Sequence, residues 1–387
     1  METSYLTKKL SDVCDFKVEK NTRNLPYLGM EDIQSNSMTF TGSREPKKVK
    51  STTNYFDETT VIYGKLRPYL NKVFVPGFEG HCTTEFVPLN PNLEYLSRDW
   101  LAYWLSSSSV IEELSGNTTG SRMPRADMKR LASMEIPLPP LAEQKKIVKV
   151  LEEKLGKVKE AIQLRQDAIA DTKKILPAKL NEIFASEKEK EWEEKTLGEC
   201  VKLQGGNAFK STDYQDEKGV PLIRIQNLKN EVVDLTKAVY LSYQIFEDSG
   251  NFHLESGDIL IAMSGATTGK LARIKEGQLP ALLNQRVGRF KVNSYAIKNF
   301  VYYFLKYKQS HILEIAYGGA QPNISGGKIE ALKISLPNLK KQKQLVNELD
   351  KLVGQIDELK SLQEEQMKDL KSLERAYLHE AFNGELA

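Results

Sequence analysis

The sequence holds only three cysteines in 387 residues, Cys14, Cys82 and Cys200. They are too few and too scattered for a disulfide framework, and a reducing cytoplasm is the expected location. No stretch approaches the roughly 20 consecutive apolar residues of a membrane span. The first 16 residues carry two lysines with no apolar run behind them, so no signal peptide is expected either. Histidine is scarce as well: His81, His253, His311 and His379 stand in unrelated contexts, with no paired cysteine spacing that would suggest a metal site. An Asp/Asn-Pro-Pro-Tyr/Phe tetrapeptide is missing, so no adenine methyltransferase centre is visible. The nearest approach to a phosphate-binding loop, Ser264 to Lys270, fails on spacing, and Leu271 stands where that loop needs a magnesium-binding Ser or Thr. No catalytic centre and no bound cofactor are therefore expected in this chain. Net charge, +3, is also small.

What the sequence does contain is a duplication. Ile136 to Gln144, rich in proline, leads into a long helical pattern, and the same pattern returns 198 residues later at Ile334 to Gln342. Without a gap, Gln144 meets Gln342, Leu151 meets Leu349, Gly156 meets Gly354, Leu164 meets Leu362 and Phe184 meets Phe382. Pro137, Pro139 and Pro140 fix an extended entry into the first long helix, Leu141 to Phe184. Along it Leu151, Leu155, Val158, Ile162, Ile169 and Leu176 fall in alternating steps of four and three once Arg165 and Thr172 fill the gaps, the pattern of a coiled-coil seam. About 45 residues of helix would extend about 65 Å. Pro177 should kink this helix or end its regular part. The charged run Ala185 to Glu194 reads as helix end and linker. In the second long helix, Leu339 to Phe382, the residues Leu345, Leu349, Leu352, Ile356, Leu359, Leu370, Leu373 and Tyr377 line one side, with Gln363 and Gln366 interrupting them.

Each long helix follows a globular segment of mixed character. In the first, Thr60 to Tyr63 and Lys72 to Val75 read as strands, and Ser97 to Leu114 has helical spacing before a polar loop from Thr118 to Arg125. In the second, Val220 to Leu228 alternates like a strand and Phe300 to Leu313 is helical. Trp100, Trp104, Tyr302, Tyr303 and Phe304 sit at helical spacing and are expected in the core. Gly265 and Gly269 are expected to shape a turn. The framework repeats but the loop side chains do not, as a pair of domains reading two different things requires. Two equal helices in equivalent repeats can bury their seams against one another, and a two-fold relation would make them antiparallel, with the globular domains at opposite ends of a rod.

Charge is unevenly placed within these near-neutral domains. Residues 1–140 have 17 basic against 17 acidic residues, yet Arg44, Lys47, Lys48 and Lys50 bunch together, as do Lys65, Arg67 and Lys72, and Arg122, Arg125, Lys129 and Arg130. Lys270, Arg273, Lys275, Arg286 and Arg289 form a further group. Local basic patches suit a surface that tracks phosphates.

In the order of its motifs the chain resembles the DNA specificity subunit of type I restriction-modification enzymes. The resemblance rests on Ile136 to Gln144 and its copy Ile334 to Gln342, Tyr63 to Val73, Gly219 to Leu228, Met263 to Lys270, Leu283 to Phe290, Gly318 to Ser325 and Ala381 to Leu386. The copy departs from the pattern at Asn338 and Lys341. The resemblance implies a mixed α/β (α+β) fold in which two target-recognition domains, 1–138 and 191–337, alternate with spacer helices at 139–190 and 338–387 that form an antiparallel coiled coil. It implies double-stranded DNA, two methyltransferase subunits and restriction/translocase subunits as partners, with S-adenosylmethionine and ATP bound by those partners and no membrane involved. Arginine and lysine pair with guanine and asparagine with adenine, and all of them hold phosphates. The expected DNA-binding residues are accordingly Lys65, Arg67, Arg122 and Arg125 in the first domain and Lys270, Arg273, Arg286 and Asn323 in the second. The alternative is a non-catalytic coiled-coil scaffold or single-strand binder, which would show no sequence-specific duplex binding.

Overall fold

The structure is a computed structural model and describes residues 5–120, 122–185, 192–216, 218–316 and 323–386. Ser121, the linker at 186–191 and the Gly318 to Pro322 part of the fourth motif of the second domain lie outside the described residues. The chain divides into two compact units, Met1–Ala168 with Leu362–Ala387, and Ile169–Ser361.

In the first unit a four-stranded antiparallel sheet runs in the order Cys14–Asp15, Phe86–Pro91, Val61–Gly64, Val73–Phe74. A second sheet places Tyr27–Leu28 parallel to Gly80–Thr83, with Thr53–Phe56 antiparallel on the other side. The helical stretch expected over Ser97 to Leu114 is two helices, Arg98–Leu105 and Ser108–Gly116, the first capped by Ser97, whose hydroxyl accepts the Trp100 N–H at 3.2 Å. Trp100 and Trp104 are buried with Leu10, Val61, Leu89, Leu105, Leu131 and Ile136. That core continues without a break onto Ile147, Val148 and Leu151 of the first long helix and Leu378, Ala381 and Phe382 of the second. The start of one helix thus meets the end of the other, an antiparallel pairing that also sets Lys154 Nζ 4.8 Å from the Tyr377 ring. Trp100 and Phe382 meet edge to face at 4.6 Å.

The second unit repeats the plan with additions. Its main sheet opens in the same order, Val201–Gly205, Val287–Val292, Ile259–Ala262, Leu271–Arg273, and is extended by Glu231–Val233 and Leu228–Lys229. The smaller sheet again has a parallel pair, Val220–Ile223 with Leu282–Leu283, but its third strand, Val239–Leu241, joins the first member of that pair rather than the second. Here the end of the first long helix (Leu180, Ile183, Phe184) shares a core with the start of the second (Leu345, Val346, Leu349), and Lys179 pairs with Glu348 at 2.7 Å. The Phe184 ring contacts Phe300, Phe304 and Tyr307 at 5.4–5.7 Å. Tyr302, Tyr303 and Phe304 are buried, as their spacing requires.

One polar device recurs at the head of each long helix and accounts for the repeated motif there. The fully buried Gln144 accepts the Ser97 N–H at 2.9 Å and donates to the carbonyls of Tyr95 at 2.7 Å and Pro139 at 2.8 Å. Gln342, equally buried, accepts from Ile297 at 2.9 Å and donates to Tyr295 at 3.2 Å and Pro337 at 2.8 Å. Each glutamine ties the helix entrance to the loop that starts the domain's own helical pair, and satisfies three backbone groups at once, one of them buried.

The long helices span Leu141–Ala185 and Leu339–Asn383. The first runs through Pro177 instead of ending there. Pro177 is exposed, so the carbonyl four residues earlier, left without its helical partner, faces water rather than the core. The seam of the second helix also differs from expectation: Leu359 and Leu373 are each 38% exposed, whereas Gln363 is buried. The steps of four and three continue through Ile356, Gln363, Met367, Leu370 and Glu374, so position in the repeat, and not side-chain polarity, sets which residues face inward.

Candidate nucleic-acid interface

Each main sheet has a turn between its third and fourth strands, and the two turns occupy matching positions at the 198-residue offset and share two backbone hydrogen bonds. In the first unit the Gly64 N–H donates to Lys72 O at 2.8 Å and the Leu70 N–H to Arg67 O at 2.8 Å. In the second, Ala262 donates to Lys270 at 2.9 Å and Thr268 to Gly265 at 3.0 Å. Leu66 bridges Arg125 and Ser264 bridges Asn323, so each turn is flanked by the loop that follows the helical pair. A third loop abuts both: the Lys65 N–H donates to Glu85 O at 3.0 Å, and the Met263 N–H to Arg286 O at 2.9 Å.

These three-loop edges gather most of the expected DNA-binding residues. In the first unit Arg67 and Arg122 are exposed and Lys65 is half-buried. In the second, Lys270, Arg286 and Asn323 are exposed, and their side chains make no hydrogen bond or ion pair among the described residues. Two of the expected residues are engaged elsewhere. Arg125 is held in a two-pronged pair with Glu85, Nη2 to Oε1 at 2.6 Å and Nε to Oε2 at 2.9 Å, and this hydrogen bonding holds the Glu85 carboxyl below its ordinary range. Arg273 lies at the opposite end of its strand from the turn, paired in register with Ile259; its guanidinium sits 4.3 Å from the centre of the Tyr302 ring. Its place is a packing one, apart from the other three.

The aligned turns differ in chemistry. Backbone φ is positive at Arg67 (54°) and Asn71 (44°), and the corresponding positions in the second unit are Gly265 (80°) and Gly269 (80°). Glycine occupies this region freely, whereas a residue with a Cβ, such as arginine, loses about 1–2 kcal/mol there. Lys72, aligned with Lys270, is not free: its ammonium donates to the carbonyls of Met30 and, at 2.7 Å, Ile33. Glu85 was not among the expected residues, nor was Tyr69, which stands 51% exposed on the same turn as Arg67. Alignment at the 198-residue offset would have marked Arg67 as unusual, because it sets arginine against glycine; nothing local marks Glu85, which is 40 residues from its partner.

A family model described as the type I restriction modification DNA specificity domain matches residues 4–165 and again 189–367. The chain belongs to that family. It is a DNA sequence-specificity subunit of a type I restriction-modification system, a non-catalytic component. The subunit is similar to the MjaVIII specificity subunit of Methanocaldococcus jannaschii, 29% identical over 316 residues that cover 76% of this chain and 72% of that one. It is also similar to the EcoDI specificity subunit of Escherichia coli, 26% identical over 144 residues, 37% of this chain and 32% of the relative. Among solved structures, a chain from work on complex assembly and conformational transition of the type I system superposes with a TM-score of 0.84 at 22% identity, covering 99% of both chains. The HsdS subunit of Thermoanaerobacter tengcongensis superposes at 0.64 with 23% identity, covering 99% of this subunit and 98% of that one. These two likenesses establish the fold. Among the described residues no helix is long and apolar enough to cross a membrane, and no cluster of His, Cys, Asp and Glu is arranged to hold a metal ion.

Proposed function

We propose that each three-loop edge of this subunit reads one half of a bipartite site in double-stranded DNA, with 1–138 and 191–337 as the recognition domains and 139–190 and 338–387 as helical spacers. The observation that carries this reading is one turn built twice in register with different side chains on it. A shared scaffold with divergent contacts is what two dissimilar half-sites require. Lys65, Arg67 and Arg122 supply the first edge, with Arg125 available only if Glu85 releases it; Lys270, Arg286 and Asn323 supply the second. Arg273 acts by bracing the sheet on the helix behind it. For both edges to enter the major groove from one face of the duplex, the half-sites stand about 34 Å apart or a multiple of it.

The long helices also offer a repeated outer surface. Leu164 and Leu362 are both exposed, as are Ile175 and Leu373, and each pair is related by the 198-residue offset. Apolar side chains left in solvent at equivalent positions suit the docking of two copies of one partner, here the methyltransferase subunits, with restriction/translocase subunits joining the larger assembly. S-adenosylmethionine and ATP would then be bound by those subunits, and the cytoplasm is where the complex works. The test is methylome sequencing of a strain with this subunit and its methyltransferase against the same strain lacking only this subunit. One bipartite methylated motif should vanish; an unchanged methylome refutes the reading.

A further inference from the structure

We infer that Arg67 is a specificity-determining residue of the first domain, placing its guanidinium on the edge of a guanine in the half-site that this domain reads. The inference rests on the proposed DNA reading and assigns one contact within it. The turn does not need an arginine: the Gly265 carbonyl accepts the Thr268 N–H in the second unit as the Arg67 carbonyl accepts the Leu70 N–H in the first, and at Gly265 the left-handed conformation carries no penalty. Arg67 bears that penalty at an exposed position, and its guanidinium makes no hydrogen bond or ion pair among the described residues. No contact of the Arg67 guanidinium among the described residues offsets that strain, as at positions kept for contact with a ligand.

The surroundings favour base reading over loose attraction to phosphate. Arg67 is fixed on both sides, its N–H donating to Pro124 O at 2.7 Å and its carbonyl accepting from Leu70 at 2.8 Å. The side chain thus leaves a rigid point at the apex of the turn. Of its basic neighbours, Lys72 is committed to backbone carbonyls and Arg125 to Glu85, and neither competes for the same partner. A planar guanidinium on a fixed stem matches the paired O6 and N7 acceptors of guanine in the major groove, which an ammonium cannot match with two parallel bonds. The second domain, with Gly265 at this position, has to read its half-site with Arg286 and Asn323 instead.

The experiment uses the full-length subunit assembled with its methyltransferase subunits and a library of duplexes randomised across both half-sites. Variants Arg67→Gly, Arg67→Lys and Arg286→Ala are compared with wild type in sequence selection, salt dependence and thermal melting. Arg67→Gly should melt at the wild-type temperature or about 2–4 °C higher, relief of strain being partly offset by the greater unfolded freedom of glycine. Discrimination at one G·C pair of one half-site should fall about 5- to 150-fold. Arg67→Lys should show the same loss with little change in overall affinity, and Arg286→Ala should alter only the other half-site. An equal loss of affinity for all sequences, with the salt slope reduced by about 1, would make Arg67 a phosphate contact and overturn the inference. An unchanged selection profile, or a lower melting temperature for the glycine variant, would overturn it too. If the wild-type complex itself selects no bipartite sequence, the parent reading fails, an outcome distinct from the other three.

Discussion

Gln144 gives the strictest test of how the domains are tied to the helices. The Gln144 side chain itself has no solvent access, and one of its groups must accept while the other donates twice. Gln144→Glu keeps the shape and inverts that requirement. The second oxygen then faces the carbonyls of Tyr95 and Pro139, and a carboxylate there is disfavoured by burial and by repulsion, so the folded state takes up a proton. At pH 7.5 holding an ordinary glutamate neutral costs about 4 kcal/mol, since its pKa near 4.3 lies about three units below that pH. The acid form donates once where the amide donated twice, which adds about 1 kcal/mol. The sign follows: a folded-state pKa raised above the unfolded value means that stability is present at low pH and lost as pH rises. Urea denaturation should therefore show the variant about 5 kcal/mol less stable than wild type at pH 7.5 and only about 2 kcal/mol less stable at pH 5. A difference independent of pH, or below about 1 kcal/mol at pH 7.5, would refute the assignment of this hydrogen-bond set. Gln342→Glu should behave alike in the second unit.

Other outcomes follow from the same structure. Gly156 and Gly354 stand inside long helices with open space, nothing within 4 Å, where a Cβ would project, so Gly156→Ala and Gly354→Ala should each stabilise the subunit by about 1 kcal/mol in urea titrations; a loss would show that the space is needed. Phe184→Ala and Phe382→Ala should each cost about 3–5 kcal/mol, and hydrogen exchange should show the first loosening the second unit and the second loosening the first, because each phenylalanine packs on the opposite repeat's helical pair. Glu85→Gln should free Arg125, raise affinity for duplex DNA and steepen its salt dependence by about one ion; unchanged affinity would mean that Arg125 does not face DNA. The Glu85 carboxyl is lowered in the folded state, so its contribution to stability is present above about pH 4.3 and is lost as pH falls through the lowered value.

Much of the architecture was legible because it is written in local periodicity. Steps of four and three between Leu151 and Leu176 follow from the geometry of one helix, and the 198-residue register needs only identity of residue type at fixed offset. Leu359 and Leu373 face solvent and Gln363 faces the seam, contrary to expectation, since following leucines is not the same as following the repeat. Of the expected DNA residues, Arg67, Arg122, Lys270, Arg286 and Asn323 are on exposed loops, while Arg125 and Arg273 are occupied by Glu85 and Tyr302. Neither occupant could be read from sequence, because each lies dozens of residues from its arginine.

Residue order alone was enough for the duplication, the two long helices, the buried aromatic faces of the helical pairs and the family, all of which depend on patterns along the chain. The folded chain was needed to learn what Gln144 and Gln342 hold, which cations are already paired, and that Arg67 occupies a conformation its counterpart leaves to glycine. Those facts depend on which backbone and side-chain groups meet across separate loops, and such meetings leave no mark in residue order.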